Sequence, residues 1–218
     1  MKKEKTIPSS LAGRLARVKL FLCDVDGVLT DGSVFIGGKR EFKRFNIRDG
    51  LGMILWRRAG LKIGWVSARA SLATKLRADE LKIDFLVQQS DKLGKAGAIE
   101  PLLRQERLNW KDVCYVGDDI VDLGPLRRAG LAVTVADGVA EARAMAHYTT
   151  RHPGGQGAIR EIIEMILRTQ GKWDAFVAII NALGRLDDIL GQAVGPERFQ
   201  FHLDDQGQVF RHGPRLRA

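Results

Sequence analysis

Two aspartates one residue apart, Asp24 and Asp26, end the apolar run of the stretch KLFLCDVDGVLTDG and stand immediately before Gly27. Residues i and i+2 at a strand end face the same way, so both carboxylates are predicted to enter one crevice, where they repel each other. A divalent cation would relieve this repulsion, and Mg²⁺ suits hard oxygen ligands. A calcium-binding EF-hand loop is excluded, because Leu29 stands where that loop needs glycine and Phe35 where it needs glutamate.

A second acidic group lies in the stretch YVGDDIVD and consists of Asp118, Asp119 and Asp122. Taken alone, a Gly-Asp-Asp sequence is more typical of a helix cap than of a metal site. Its position after a predicted strand, in a chain that also carries the Asp24 pair, makes the helix cap the less favoured interpretation.

Two more polar residues follow predicted strands: Ser67 in WVSAR and Lys92 in SDKLGK. Each has a simpler interpretation, since serine is a common helix cap and lysine a common solvated surface charge. In chain order, however, the four stretches supply an acid pair, a hydroxyl, a lysine and an acid cluster.

Strand-like and helix-like segments alternate along the chain from residue 18 to about residue 150. Short apolar runs alternate with helical patterns, which predicts an α/β fold, a Rossmann-like doubly wound and mostly parallel sheet with helices on both faces. The predicted strands are Val18–Cys23, Leu61–Val66, Phe85–Gln88, Val113–Val116 and Leu131–Val135. The predicted helices between them are Leu51–Ala59, Ser71–Leu81, Lys92–Arg107, Ile120–Ala129 and Val139–Ala146. Such sheets place their sites beyond the carboxyl ends of the strands.

Two regions depart from this alternation. Residues 33–46 indicate two short strands around Gly37 and Gly38, a β-hairpin that we call the flap and that is predicted to project over the site or to pack on another subunit. We therefore divide the chain into a domain of residues 1–173, with a basic leader at 1–17 and a helix from about Ala158 to Gln170, and an extension of residues 174–218. The extension is predicted to contain a helix over 174–190 and a terminal hairpin with its turn at 205–207.

The composition restricts the class of protein. The chain has 218 residues, 45% hydrophobic and 28% charged, which indicates a globular protein with a core. The net charge of +9 lies partly in residues 1–19 and is otherwise diffuse, without a Lys/Arg block that contains aromatic residues. Nucleic-acid binding is therefore a weak hypothesis, and a small anionic substrate suits the charge equally well.

The cysteines and the leader indicate the compartment. Cys23 and Cys114 lie in strand-like runs, which favours buried reduced thiols over a disulfide framework or a zinc site. The leader lacks the apolar stretch of a signal peptide, and no run approaches the length of about 18 apolar residues that a membrane span needs. We expect a cytoplasmic protein.

Seven segments together resemble the haloacid dehalogenase superfamily of aspartate-nucleophile phosphotransferases. DVDGVLTDG, the flap, FNIRDGLG, VSAR, SDK, YVGDDIVDL and HPGGQGAIRE occur in the order of its small tetrameric branch, which has no large cap domain. The resemblance covers about residues 20–173. It implies no structure or function for residues 174–218. It implies a magnesium-dependent phosphatase that forms a homotetramer, in which the flap and neighbouring subunits close the site.

The resemblance also implies a role for each acidic residue. Asp24 attacks phosphorus to give an aspartyl-phosphate, and Asp26 protonates the leaving sugar oxygen and then activates water. Mg²⁺ is held by the Asp24 carboxylate, the Asp26 main-chain carbonyl and Asp118. Asp119 and Asp122 support this metal site.

Substrate binding is implied in the same way. Ser67 and Lys92 hold the phosphoryl oxygens. The implied substrate-binding residues are Asp26, Asn46, Ile47, Arg48, Asp49, Gly50, Arg69, Arg77 and Lys92. Without the resemblance, Arg77 would be interpreted as an exposed helix arginine. Ala68 departs from the glycine that is usual before this arginine, Arg69.

The implied reaction is hydrolysis of 3-deoxy-D-manno-octulosonate 8-phosphate, a step in making lipopolysaccharide precursors. Arg69 favours this eight-carbon substrate, because phosphatases of the branch that act on nine-carbon ulosonates tend to carry glutamate there. Two alternatives stay open: a phosphatase for a nine-carbon, sialic-acid-type ulosonate 9-phosphate, and a non-catalytic oligomerisation module.

Overall fold

The computed structural model describes residues 8–38, 40–88, 94–179 and 181–182, together with the backbone of two short strands at 201–203 and 209–211. It contains two compact units, Met1–Trp173 and Asp174–Ala218.

A six-stranded parallel sheet forms the centre of the first unit. Its strands are β1 (Leu20–Cys23), β4 (Lys62–Ser67), β5 (Phe85–Gln88), β6 (Val113–Gly117), β7 (Leu131–Thr134) and β8 (Tyr148–Thr149). They lie in the order β5-β4-β1-β6-β7-β8, and every neighbouring pair is parallel. The five strands predicted from the sequence are confirmed to within two residues. The strand β8, at the edge, was not predicted because two residues are too few to show a pattern.

Helices cover this sheet. They are α1 (Ser9–Arg17), α2 (Ile47–Arg58), α3 (Leu72–Leu81), α4 (Gly94–Gln105), α5 (Leu123–Arg128), α6 (Ala140–Met145) and α7 (Ala158–Thr169). The helix α2 begins four residues before its predicted start because the side chain of Asn46 caps it, accepting a hydrogen bond from the N–H of Arg48 at 2.8 Å. The helix α1 was not predicted; it lies within the basic leader and buries Leu15.

Alternate residues of the central strand pack on opposite faces of the sheet. Leu20 and Leu22 belong to a buried cluster with residues of α4 and α5. Phe21, between them, lies with its ring 5.6 Å from that of Trp56 in α2. Both faces of β1 are therefore buried, and the doubly wound α/β fold is confirmed.

The flap is a separate antiparallel hairpin of β2 (Phe35–Gly37) and β3 (Arg40–Phe42), as predicted. In the second unit, β9 (Phe201–Leu203) and β10 (Val209–Arg211) pair antiparallel, which confirms the strands of the terminal hairpin. Residues 174–179 and 181–182 are helical, whereas the rest of the predicted helix and the turn at 205–207 lie outside the described residues. Among the described helices, none is long and apolar enough to cross a membrane.

Candidate active site

The sheet topology brings three of the predicted site residues to one edge. The strand β1 lies where the strand order reverses, between β4 and β6. Asp24 follows β1, Ser67 ends β4 and Asp118 follows β6. Because all three strands are parallel, their carboxyl ends open on the same crevice, the usual place for a site in such sheets.

Asp24 is buried at the floor of this crevice. Its main-chain N–H donates to the carbonyl of Val116 in β6, and its Oδ1 accepts a 2.7 Å hydrogen bond from the N–H of Val25. The other oxygen, Oδ2, lies 2.7 Å from the ammonium of Lys95. Burial and the neighbouring charge of Asp122 raise the pKa of Asp24 to about 6, against the opposing effect of Lys95.

Lys95 is the lysine that the structure places beside Asp24. Its side chain is 2% exposed, and its ammonium bridges Asp24 and Asp122 at 2.7 Å from each. Burial lowers its pKa, but the two carboxylates outweigh burial and raise it, so the lysine stays charged. Sequence reasoning chose Lys92, which lies outside the described residues, and missed Lys95 three positions later in the same stretch SDKLGK.

Asp118 faces Asp24 across the crevice. Carboxylate oxygens of Asp24, Asp118 and Asp122 lie within 4.8 Å of one another. The Oδ1 atom of Asp118 is buried and has no hydrogen-bond partner in the described part of the chain. Burial, together with the charges of Asp122 and Asp24, raises the pKa of Asp118 to about 7. A buried, uncompensated carboxylate oxygen beside a second carboxylate fits a hard divalent cation such as Mg²⁺.

Both carboxylate oxygens of Asp122 accept hydrogen bonds from protein groups, so neither is a free metal ligand. It is fully buried, and its Oδ1 accepts a 2.6 Å hydrogen bond from the hydroxyl of Tyr115 as well as the bond from Lys95. Its Oδ2 accepts from the N–H groups of Asp118 and Asp119 at 3.0 and 3.3 Å. Both oxygens are thus used to orient Lys95 and the loop that carries Asp118. The Asp119 side chain caps the turn that follows, accepting from the N–H of Ile120.

Two glycines allow the loops of the site to close on each other. Gly27 has φ +88°, and a Cβ there would lie 2.1 Å from Oδ2 of Asp118. Gly154, in the stretch HPGGQG, packs so tightly on the Asp24–Gly27 loop that a Cβ would lie 1.8 Å from the carbonyl oxygen of Gly27. Since real Cβ atoms do not approach so closely, both positions need glycine.

Asp26 is half-buried at the rim of the crevice, between two cations. Its Oδ1 is 2.7 Å from the ammonium of Lys43, and its Oδ2 is 3.6 Å from the guanidinium of Arg69. Arg69 also pairs with Glu41 of the flap. The hydroxyl of Ser67 lies at the same edge, where it accepts from the N–H of Arg69 and donates to the carbonyl of Arg69. Lys43 and Glu41 were not predicted as site residues.

The predicted substrate-binding segment, residues 46–50, forms the cap and the first turn of α2 and lies beside Arg77. A Cβ on Gly50 would be 2.6 Å from the guanidinium of Arg77, whose Nε is buried without a hydrogen-bond partner among the described residues. The carboxylate of Asp49 is occupied elsewhere, accepting from the N–H groups of Gly157 and Arg160 at the start of α7. Asn46, Ile47 and Arg48 line an adjoining open pocket of about 550 Å³ with Arg44, Phe45, Gly155 and Gln156.

Comparison with known proteins gives a consistent set of relatives, although no family model matches the chain. The chain is 38% identical over 161 residues to the 3-deoxy-D-manno-octulosonate 8-phosphate phosphatase KdsC of Yersinia pestis, covering 73% of this chain and 84% of that one. The Escherichia coli K12 protein of the same name is 35% identical over 170 residues, covering 77% and 89%.

A solved structure extends this likeness to the fold. The crystal structure of 3-deoxy-D-manno-octulosonate 8-phosphate phosphatase from Moraxella catarrhalis, in complex with a magnesium ion, a phosphate ion and a KDO molecule, superimposes with a TM-score of 0.76 at 33% identity. The match covers 80% of this chain and 99% of that one.

Proposed function

We propose that the chain, which belongs to the KdsC family of haloacid dehalogenase-type phosphatases, hydrolyses 3-deoxy-D-manno-octulosonate 8-phosphate to the free sugar acid and phosphate. The observation that carries the proposal is the buried contact of Asp24 with Lys95, within reach of Asp118. A nucleophile, a fixed cation and a second carboxylate at one strand edge are the parts that phosphoryl transfer needs.

The reaction takes two steps, both of which use the aspartate pair. In the first, the Asp24 carboxylate bonds to phosphorus as the bond from phosphorus to the sugar oxygen breaks, and Asp26 gives that oxygen a proton. In the second, Asp26 takes a proton from water, whose oxygen displaces Asp24 from phosphorus. The balance is one water consumed, and one sugar alcohol and one phosphate released.

The residues present fit a magnesium ion held by the Asp24 and Asp118 carboxylates and the Asp26 main-chain carbonyl. The unpartnered Oδ1 of Asp118 and the crowding of buried carboxylates support this assignment. When bound, the ion supplies positive charge that screens the nucleophile from the anionic phosphate. Asp122 acts in support, because its oxygens already bind Lys95, Tyr115 and the loop N–H groups.

Lys95 and Ser67 are the groups we propose to hold the phosphoryl oxygens as charge shifts in the transition state. Lys95 is already fixed beside Asp24, so it needs no reorientation when the phosphate arrives. We propose Lys92, in the same stretch, as a further contact to the phosphate or the sugar.

Sugar recognition is proposed for Asp26, the segment 46–50, Arg69 and Arg77. Arg69 lies against Asp26, which places its guanidinium near the phosphorylated end of the substrate. The Arg77 side chain is 14% exposed and lies beside Gly50, and its Nε has no hydrogen-bond partner among the described residues. Because the Asp49 carboxylate caps α7, this residue would contribute through its main chain.

Replacing Arg69 by glutamate tests the substrate assignment. The wild type is expected to prefer the eight-carbon ulosonate 8-phosphate over a nine-carbon ulosonate 9-phosphate in kcat/KM. In Arg69→Glu, a new carboxylate faces Asp26 and Glu41, so kcat/KM for the eight-carbon substrate should fall by about 100-fold. The exposed Arg104→Glu on α4 is the control for charge reversal as such. A wild type that prefers the nine-carbon acid would refute the assignment, and a phosphate release of zero with both would favour the non-catalytic module.

We further propose a homotetramer in the cytoplasm that contributes to lipopolysaccharide precursor synthesis. Exposed apolar side chains on the flap and α3 support an interface between subunits: Phe35 (57%), Ile36 (81%), Leu72 (69%) and Leu76 (60%). The buried, unpaired thiols of Cys23 and Cys114 suit a reducing compartment. A monomer in light scattering of the purified chain would contradict the tetramer.

A further inference from the structure

Lys43, which follows β3 at the base of the flap, is buried in an unusual way for a lysine. Its side chain is 0% exposed, although the flap strand β2 is exposed to solvent along its whole length. The ammonium lies 2.7 Å from Oδ1 of Asp26, 3.1 Å from the hydroxyl of Thr74 in α3 and 3.7 Å from a carboxylate oxygen of Glu41. A buried ammonium is costly unless it is paired, so these contacts account for its position.

The pairing matters equally to Asp26. Its Oδ1 is buried, and no described residue donates an aligned hydrogen bond to it, so the ammonium of Lys43 at 2.7 Å is what holds this oxygen in place, both while Asp26 carries its proton and after it has given the proton up. Within the described part of the chain, the other oxygen, Oδ2, has only the longer contact of 3.6 Å with Arg69. One oxygen of Asp26 is therefore fixed by Lys43, whereas the other is held less closely.

Glu41 secures this arrangement from the flap. Its carboxylate binds the guanidinium of Arg69 and accepts a 2.7 Å hydrogen bond from the hydroxyl of Ser71, at the start of α3. Lys43 and Glu41 thus join the flap to α3 and to Asp26 through charged contacts. The flap is part of the catalytic framework in this geometry, and not only a cover.

We propose that Lys43 is a positioning residue for Asp26, which it fixes in the orientation needed for proton transfer to the leaving sugar oxygen. The proposal rests on the proposed phosphatase function and adds a residue that no comparison assigns. As the oxygen–phosphorus bond breaks, the proton moves from Asp26 to the leaving oxygen, and Asp26 becomes a carboxylate. The ammonium of Lys43 compensates the charge that develops on Asp26 at that moment.

The test compares two leaving groups in Lys43→Met. A sugar alkoxide needs a proton to leave, whereas p-nitrophenolate leaves without one. For the sugar phosphate, kcat should fall by about 30-fold, and KM should change by less than about 3-fold. The expected loss in kcat is a part of the rate increase of about 10²- to 10⁴-fold that general acid catalysis supplies. For p-nitrophenyl phosphate, kcat should fall by no more than about 3-fold. The control is Lys75→Met, an exposed lysine of α3, which should change neither.

A double-mutant cycle with Asp26→Asn identifies the route of the effect. If Lys43 acts through Asp26, then adding Lys43→Met to Asp26→Asn should lower kcat by less than about 2-fold more. Equal losses for both leaving groups, or additive losses in the cycle, would overturn the proposal and leave Lys43 a purely structural role.

Two precautions keep the outcome decisive. If Lys43→Met fails to fold, Thr74→Val can be used instead, because it removes the hydroxyl that binds the Lys43 ammonium and keeps the size of the side chain at position 74. This variant should show the same leaving-group pattern in weaker form. If the pattern is absent in Thr74→Val, that result counts against the proposal. The comparison is a ratio between leaving groups, so it works with any alkyl phosphate that the wild type hydrolyses. Failure on the octulosonate substrate alone therefore tests the proposed function and not Lys43.

Discussion

Replacing Asp24 with asparagine is expected to reduce phosphate release by about 10⁴-fold or more while the chain stays folded. An amide cannot form the aspartyl-phosphate, and no other described carboxylate lies at the end of β1 beside Lys95. The amide oxygen can still accept the hydrogen bond from the N–H of Val25. The free energy of unfolding should change by no more than about 2 kcal/mol, because losing a buried charge offsets the loss of one of the two partners of Lys95. Phosphate release and thermal unfolding, measured on the same preparation, check both parts.

The matched control for this substitution is Asp79→Asn, an exposed carboxylate on α3 that is 60% exposed and pairs with Lys75. It should keep wild-type activity. Asp24→Asn with more than about a hundredth of the wild-type rate would show that Asp24 is not the nucleophile.

The second large effect is expected at Lys95. Lys95→Met removes the ammonium beside the nucleophile, so kcat should fall by about 10³-fold, the upper range for loss of one electrostatic donor. The chain should also unfold at a lower temperature, because Asp24 and Asp122 are then buried together without a cation. Activity must therefore be measured at a temperature where circular dichroism shows the variant to be folded.

Comparison with Lys92→Met separates the two lysines of SDKLGK. We expect the factor by which kcat falls in Lys92→Met to be less than a tenth of the factor in Lys95→Met. In Lys92→Met, KM should change by a larger factor than kcat. Exposed Lys111→Met serves as the control. If Lys92→Met has the larger effect on kcat, then the lysine that binds the transferring phosphoryl group is Lys92, and the role of Lys95 is to hold Asp122.

The fold and the centre of the site could be predicted from sequence because their signals are local. Apolar runs mark the strands, and parallel strands bring their carboxyl ends together, so Asp24, Ser67 and Asp118 were expected at one edge. The start of α2 was placed late because a cap is formed by one side chain, that of Asn46, which leaves no periodic pattern.

The roles of Lys95 and Lys43 were harder to predict from the sequence, for a different reason. A lysine in a polar stretch has the same local signal whether it is solvated or buried, and only tertiary contacts decide between the two. Lys95 is buried because α4 begins at Gly94 and directs it toward Asp24 and Asp122. Lys43 is buried because the flap folds its base against α3 and Asp26. Both depend on segments distant in sequence, so neither could be recognised from spacing alone.

We propose that acidic groups from the tips of two neighbouring strands form one metal-dependent phosphoryl-transfer site. The most direct measurement is phosphate release from 3-deoxy-D-manno-octulosonate 8-phosphate by the purified chain, with Mg²⁺ and again after chelation. We predict turnover with Mg²⁺, a fall of about 100-fold or more on chelation, and recovery when the ion is restored. Undiminished release after chelation, or no release when Mg²⁺ is present, would show that this site is not a magnesium-dependent phosphatase centre.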